Sequence, residues 1–593
     1  MNAPAGPRGP NPITGRDVIP FLILAIAGVA LLAVGDLWAT AGTSTVLTGH
    51  GWTPPPYGTA TVSALRQGVP GLAPAAPAWL VWVVLLTLTT VQVTLAGVTA
   101  VVLSRRHRQR RGPAGAMATA RDLPGLTAHA AAERARLLRR SLSAVPAGRI
   151  TPADAGVTLG RLEPGGELLL GSWEDVYLLL FAPRSGKTTA FAVPGIIATP
   201  GPAVVTSNKS DVWAATAELR AEHGRVWTFD PQSIARAAQD WWWDALDGID
   251  TVEVADRFAA HFLAEMQGGQ DPFWTEAAGE LLTGLLLAAA SRHDADLRTV
   301  WEWLADPSDT DPVDALMDAG HTSVAEGLRG TINGADDTRQ GIYQTARTAA
   351  RCLRDPDITA WVTPPRRTLP RLDLREFIAG RDTLYLLSKD AGASAAPLVA
   401  ALTDRVMRTG VLAAETHGGR LDPPLLAVLD EAANICKIRD LPDLYSHLGS
   451  RGVIPMTILQ SYQQGVRVWG EPGMAALWGA ATIKLIGAGM DDARFAGDVS
   501  TLVGEHDVTT RSISRSRDGW NESDSLRRQR ILEAADVRAL PKGTALLLAT
   551  GARAALVQTL PWYTSPDADR ISKAVRRGED GIRDRAAAAW SQR

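Results

Sequence analysis

The run Val176–Phe181 (VYLLLF), followed by Ala182–Thr189 (APRSGKTT), constrains this chain more than any other stretch. A short, wholly apolar run bounded by turn residues reads as a strand buried on both faces, as in a parallel sheet. The loop after it ends in Gly-Lys-Thr and leads into an apolar stretch that opens a helix. Strand, glycine loop and helix in that order cradle phosphate. Backbone N–H groups wrap the oxygens, a lysine reaches the terminal phosphates, and a hydroxyl holds Mg2+. Gly186, Lys187 and Thr188 fill the last three positions of the GxxxxGK[ST] spacing. Ala182, Pro183, Arg184 and Ser185 precede them, and Thr189 follows. Phe181 stands where the first glycine would be. That glycine mainly eases the exit from the strand, while Gly186 and Lys187 approach the phosphates most closely. The reading is a modified loop for ATP and Mg2+.

A phosphate loop needs an acidic partner at the carboxyl edge of the same sheet. Leu425–Glu431 (LLAVLDE) is an apolar strand with two carboxylates at its tip, expected beside the loop strand. Asp430 would hold Mg2+ through water, and Glu431 would polarise an attacking water. The next strand, Ile454–Leu459, ends in Gln460, an amide placed to sense a γ-phosphate and orient water. Arg451, in GSRG just before it, is a candidate arginine finger toward a neighbouring subunit. Further strands are expected at Ala203–Thr206, Val226–Phe229, Thr383–Leu387, Ile483–Ile486 and Gly543–Ala549.

Between Asp250 and Arg381 strand signals vanish and helical periodicity takes over. Helices are expected at 252–267, 273–292, 297–304, 313–319 and 341–354, with Phe273, Trp274, Leu281, Leu285 and Leu286 on one core-facing stripe. Arg511–Arg530 is polar, mixed in charge and turn-rich, so an exposed hairpin or loop is expected.

Two charge-free apolar runs lie near the N-terminus, Val18–Val34 and Ala78–Leu103. About 20 apolar residues cross the hydrocarbon of a bilayer. Both runs therefore read as transmembrane helices, the first extended toward Trp38 and the second carrying Trp79 and Trp82 near its outer end. Arg105, Arg106, Arg108, Arg110 and Arg111 follow the second run, Arg8 and Arg16 precede the first, and the connecting loop has Arg66. The positive-inside rule then places both flanks in the cytoplasm.

Over 593 residues, 46% are hydrophobic and 21% charged, which excludes a largely disordered chain, a collagen or a small disulfide scaffold. The net charge of −3 decides nothing about nucleic acid. Cys352 and Cys436 are far apart, so neither a disulfide framework nor a structural zinc site is expected.

The expected plan is α/β. A membrane region at 1–112 leads through a connecting helical segment at 113–150 to a nucleotide-binding domain. That domain is split into 151–250 and 381–564 by an all-α insertion at 251–380, and a flexible tail follows at 565–593. The strings PRSGKTT (Pro183–Thr189), TSNKSD (Thr206–Asp211), FDP (Phe229–Pro231), WWWDAL (Trp241–Leu246), LDEAAN (Leu429–Asn434), GSRG (Gly449–Gly452) and ILQSYQQ (Ile458–Gln464) occur in that order behind the two spans. Together they resemble the conjugative coupling proteins of type IV secretion, the TraG/TraD family. The Arg-rich, Lys-poor composition, with seven lysines, suits an actinobacterial version. The resemblance implies a RecA-like P-loop ATPase domain with an inserted all-α domain, preceded by two transmembrane helices and assembled as a homo-hexamer at the membrane. It also implies transfer of relaxase-bound single-stranded DNA to the components of a type IV secretion channel. Two other tasks stay open for such a fold. One is an FtsK-like double-stranded DNA translocase, against which the short stretch after Ser565 counts. The other is a nucleotide-binding scaffold that does not hydrolyse, for which Phe181 is the support.

Overall fold

The computed structural model describes residues 15–111, 116–266, 271–390, 394–516 and 519–591. Arg8 and the expected boundary at 112/113 lie outside the described residues. The chain forms two compact units, residues 1–111 and 112–593.

In the first unit two helices, Gly15–Leu47 and Ala78–Arg111, are long and apolar enough to cross a membrane, over Ala30–Leu47 and Ala78–Thr99. The first runs on to Leu47, beyond the extension toward Trp38 that was expected. Thr87, Thr89, Thr90, Thr94 and Thr99 each donate their hydroxyl to the carbonyl four residues back. Polar side chains are thereby satisfied within an apolar helix. Gln92 Nε2 donates to Asp36 Oδ1 at 2.5 Å and joins the two helices. Between them a small cap forms around Ala41, Leu72, Ala73 and Val81, with Trp38 packed edge-on against Trp52 and Tyr57.

The second unit is built on one eleven-stranded sheet. Its strands are β1 (Gly156–Glu163), β2 (Leu168–Ser172), β3 (Tyr177–Leu180), β4 (Ala203–Ser207), β5 (Val226–Phe229), β6 (Thr383–Leu387), β7 (Leu425–Leu429), β8 (Val453–Leu459) and β9 (Ile483–Ile486), followed by β12 (Thr544–Ala549) and β13 (Ala555–Gln558). β10 (Glu505–Ser516) and β11 (Gly519–Arg530) pair separately as the expected hairpin. The order is β2-β1-β13-β12-β9-β3-β8-β7-β4-β6-β5. From β9 to β5 every pairing is parallel, and from β12 to β2 every pairing is antiparallel. In β3, β4, β6, β7 and β8 every residue is buried, which requires cover on both faces.

The helical insertion leaves from β5 and returns at β6, its neighbour in the sheet. Its base is an aromatic cluster in which Trp241 packs against Trp227, Phe229 and Trp361. Its central helix, Pro272–Ala290, buries Leu281, Leu285 and Leu286. The stripe read from sequence fails at its start: Phe273, in the first turn, is 55% exposed, while the Trp274 ring fits against the bare face of Gly341. A helix at Thr322–Ile332 adds to those expected.

Two further expectations need correction. Residues 116–150 do more than connect. The helix Ala128–Leu138 buries Ala131 and Ala132 against Leu170 of β2, and Thr127 bridges to Leu169. The expected flexible tail is instead a helix, Ala568–Ser591, lying on the helix Asp211–Arg220. Ile571 and Ala574 join Ala215 and Leu219 in a small core, and Arg577 and Arg570 pair with Glu218 and Glu222. A narrow apolar stripe amid many charges was enough to order it, because charged partners face it from the other helix.

Candidate nucleotide site

The loop after β3 turns on two left-handed residues, Arg184 (φ 60°) and Gly186 (φ 93°). Gly186 is glycine for its backbone angle rather than for space, since a Cβ there would meet only Thr189 Oγ1 at 3.7 Å. At Phe181 the chain leaves β3 without a left-handed turn. Phe181 donates its N–H to the Leu459 carbonyl and continues the β3–β8 pairing. Its buried ring packs against Phe191 and into space left by Gly487, where a Cβ would fall on the ring. The conformational demand of the loop sits at Arg184, an exposed residue.

β7 is not the neighbour of β3; β8 lies between them. The tips are thus about two strand spacings, or ~10 Å, apart. The loop after β3 carries Lys187 and Thr188 across that gap. Lys187 Nζ donates to Glu431 Oε1 at 2.5 Å and lies 3.8 Å from Asp430 Oδ1. Thr188 Oγ1 donates to Asp430 Oδ2 at 3.3 Å. Gln460, at the tip of the intervening strand, donates from Nε2 to Glu431 Oε2 at 2.7 Å. Lys187, Asp430 and Glu431 are all buried.

Glu431 is left-handed at φ 56° and ψ 38°, a strained conformation for a residue with a Cβ. Its backbone N–H donates to Asp430 Oδ1, and the Asp430 carbonyl accepts from Thr206 Oγ1. Burial pushes the Asp430 carboxyl up to about 6, with Glu431 and Asp211 adding to the rise and Lys187 and Thr188 opposing it. Such a carboxylate favours a cation beside it. With the Thr188 hydroxyl 3.3 Å away, the pair offers two oxygens at a spacing that one Mg2+ can share.

Of the residues singled out in the sequence, Lys187, Thr188, Asp430, Glu431 and Gln460 converge. Arg451 does not. It lies at the start of β8, at the opposite edge of the sheet from Gln460. Sequence reading gave no role to Asn434 and Gln464, which the structure brings onto the Glu431 group. The signal was present in the spacing, since Asn434 follows Glu431 by three residues and Gln464 follows Gln460 by four.

The segment after β7 also meets the insertion. Lys437 pairs with Glu265 at 3.2 Å. The buried Asp404, on the helix Ala396–Thr416, faces His261 at 3.6 Å and accepts from Arg408 Nε at 2.9 and 3.0 Å.

Residues 424–542 match the family described as the TraM recognition site of TraD and TraG. Two curated relatives, each a conjugal transfer protein TraG of Escherichia coli, are 25% identical over 358 residues, 55% of this chain. The chain spans about half the length of these relatives, 54% and 55%. Among solved structures, the bacterial conjugative coupling protein TrwBdeltaN70 in its unbound monoclinic form superposes with a TM-score of 0.53 at 17% identity, over 69% of this chain and 90% of that one. The plasmid coupling protein TrwB in complex with ADP and Mg2+ gives 0.51 at 18% identity, over 68% and 89%. The fold is therefore the RecA-like P-loop fold that the sequence implied. The chain thus matches the TraM-recognition family of TraD and TraG over residues 424–542, is similar to conjugal transfer protein TraG along about half its length, and shares the fold of the conjugative coupling protein TrwB.

Proposed function

We propose that the chain is a membrane-anchored ATPase that recruits relaxase-bound single-stranded DNA and drives it toward a type IV secretion channel. The observation that carries this is the convergence of Lys187 and Thr188 with Asp430, Glu431 and Gln460 at one end of the parallel sheet. Phosphoryl transfer to water asks for positioning and charge neutralisation more than for covalent chemistry. The backbone of Ala182–Thr189 would wrap the phosphates of ATP. Lys187 would exchange Glu431 for the β- and γ-phosphates. Thr188 and Asp430 would hold Mg2+, whose charge offsets that of the phosphates. Glu431, once released by Lys187, would polarise the attacking water, and Gln460 would orient it.

The two apolar helices support anchoring, and the arginines after the second span support a cytoplasmic ATPase body. Assembly as a homo-hexamer would give Arg451, remote from its own phosphate loop, a neighbour's site to reach. Contact with a TraM-like protein is supported by the family match at 424–542.

The test is phosphate release by the full chain in lipid nanodiscs, with and without single-stranded DNA, beside Glu431→Gln. DNA-stimulated release in the wild type and little in the variant is expected. Equal rates near zero in both would favour a non-hydrolysing scaffold.

A further inference from the structure

Glu431 and three other residues, Gln460, Gln464 and Asn434, form a closed ring of hydrogen bonds. The Gln460 backbone N–H donates to Gln464 Oε1 at 2.8 Å, and Gln464 Nε2 donates to Asn434 Oδ1 at 3.0 Å. Asn434 Nδ2 donates to Glu431 Oε2 at 3.1 Å, and the Gln460 side-chain amide donates to the same oxygen at 2.7 Å. The ring thus leaves Gln460 through its backbone and returns to it through its side chain.

The direction of every bond is fixed from both ends. A backbone N–H can only donate, so the Gln464 oxygen must face Gln460. The Gln464 nitrogen then faces Asn434 and demands its oxygen. This leaves the Asn434 nitrogen for Glu431, whose Oε2 also accepts from the Gln460 side-chain amide. Two independent constraints agree on one arrangement, and neither amide can flip without breaking two bonds.

We infer that Asn434 and Gln464 are positioning residues for hydrolysis, holding the Glu431 carboxylate and the Gln460 amide as one rigid pair. The inference rests on the ATPase reading above and assigns work within it to two residues whose side-chain hydrogen bonds, among the described residues, go to the Glu431 group and the start of the following helix rather than to the phosphate loop. Glu431 needs such support. Its left-handed backbone is strained, and its Oε1 is held by a lysine that must move to phosphate when nucleotide binds. The ring grips Oε2 alone, so it survives that exchange and keeps the carboxylate aimed. Asn434 adds a second hold, its backbone N–H donating to the Glu431 carbonyl at 2.8 Å. Gln464 is itself buried and anchors the ring to the helix that begins at Tyr462.

The test uses the full chain in lipid nanodiscs with Gln464→Leu, Gln464→Glu, Asn434→Leu and Asn434→Asp. Gln464→Glu keeps an acceptor for the Gln460 N–H and turns the donor to Asn434 into a carboxylate oxygen, and Asn434→Asp keeps the size of that side chain while removing its donor to Glu431, so these near-isosteric variants serve if the leucine variants fail to fold. Three quantities are compared with wild type: kcat and KM for ATP, the Kd of a fluorescent non-hydrolysable ATP analogue with Mg2+, and the thermal midpoint. The expected result is a kcat lower by about 10- to 100-fold. KM and Kd should stay within about threefold, which marks loss of an interaction that matters in the transition state. Unchanged kcat in folded variants overturns the inference. So does a parallel loss of kcat, analogue binding and thermal stability, which would mean a merely structural role. A wild type that releases no phosphate overturns the hydrolysis reading and this inference with it, whereas an active wild type with indifferent variants overturns this inference alone.

Discussion

Lys187 Nζ touches Glu431 Oε1 although a full strand, β8, lies between the strands that present them. Both groups are buried, so each is the other's main compensation for lost water. Lys187→Met should lower ATP-analogue affinity by about 10- to 100-fold, read by fluorescence titration. It should also cost about 3 kcal/mol of stability by leaving the acidic pair uncompensated. Lys187→Met with Glu431→Gln should recover part of that stability but none of the affinity. Chemical denaturation of all three proteins checks the first point, and titration checks the second.

Thr188→Ala should separate the metal from the nucleotide. The hydroxyl meets Asp430 rather than the lysine. Mg2+ should tighten analogue binding in the wild type and do so much less in the variant, while affinities in EDTA stay alike. Equal Mg2+ enhancement in both would show that Thr188 is not a ligand.

Asp404 makes stability depend on pH in a stated direction. Burial pushes its carboxyl up, but His261 and Arg408 outweigh that and hold it below the ordinary value of 3.8. Arg405 and Cys436 also face it. A lowered value means stability that is present above the unfolded value and lost as pH falls through the folded one. Asp404→Asn should therefore cost about 3 kcal/mol near pH 7. The gap to wild type should close as pH drops below 3.8. Denaturation midpoints from neutral to acid pH measure it, and a gap that persists in acid would refute it.

Phe181 and Gly487 should behave as a matched pair. Gly487→Ala forces a methyl group onto the Phe181 ring and should cost about 1–3 kcal/mol. Phe181→Ala opens a cavity and should cost about 3–5 kcal/mol. The double variant should cost less than the sum, because the new methyl group fills part of the space. Additive losses in denaturant unfolding would contradict the pairing.

The phosphate loop was legible in the sequence because its chemistry is local. Strand, glycine, lysine and threonine are contiguous, and their spacing alone carries the geometry. Asp430, Glu431 and Gln460 were legible because an apolar strand with polar residues at its tip delivers them to one edge of a sheet. Sheet order was not: expecting Leu425–Glu431 beside the loop strand missed β8 between them, since strand adjacency depends on crossovers that leave no local mark. Asn434 and Gln464 were missed for a related reason. Their spacings tie each to a neighbour in the chain, but the bond that joins the two crosses from the segment after β7 to the segment after β8. The antiparallel edge was obscured because β1 and β2 are broken by Gly156, Gly160 and Gly171, which blur strand alternation but are needed where other backbone or the Tyr177 ring comes close. The terminal helix was read as a tail because its apolar stripe is narrow and its charges find partners only in three dimensions.

The hydrogen bond from Gln92 to Asp36 has a practical consequence for anyone who grafts this anchor elsewhere. The Asp36 carboxyl, inside the apolar stretch of its helix, is tolerated because the other helix brings an amide to it. Exchanging either helix for a generic leucine-rich one would strand its counterpart's polar group in oil. The two must be transplanted as a single cassette, and a chimera that keeps only one should insert poorly.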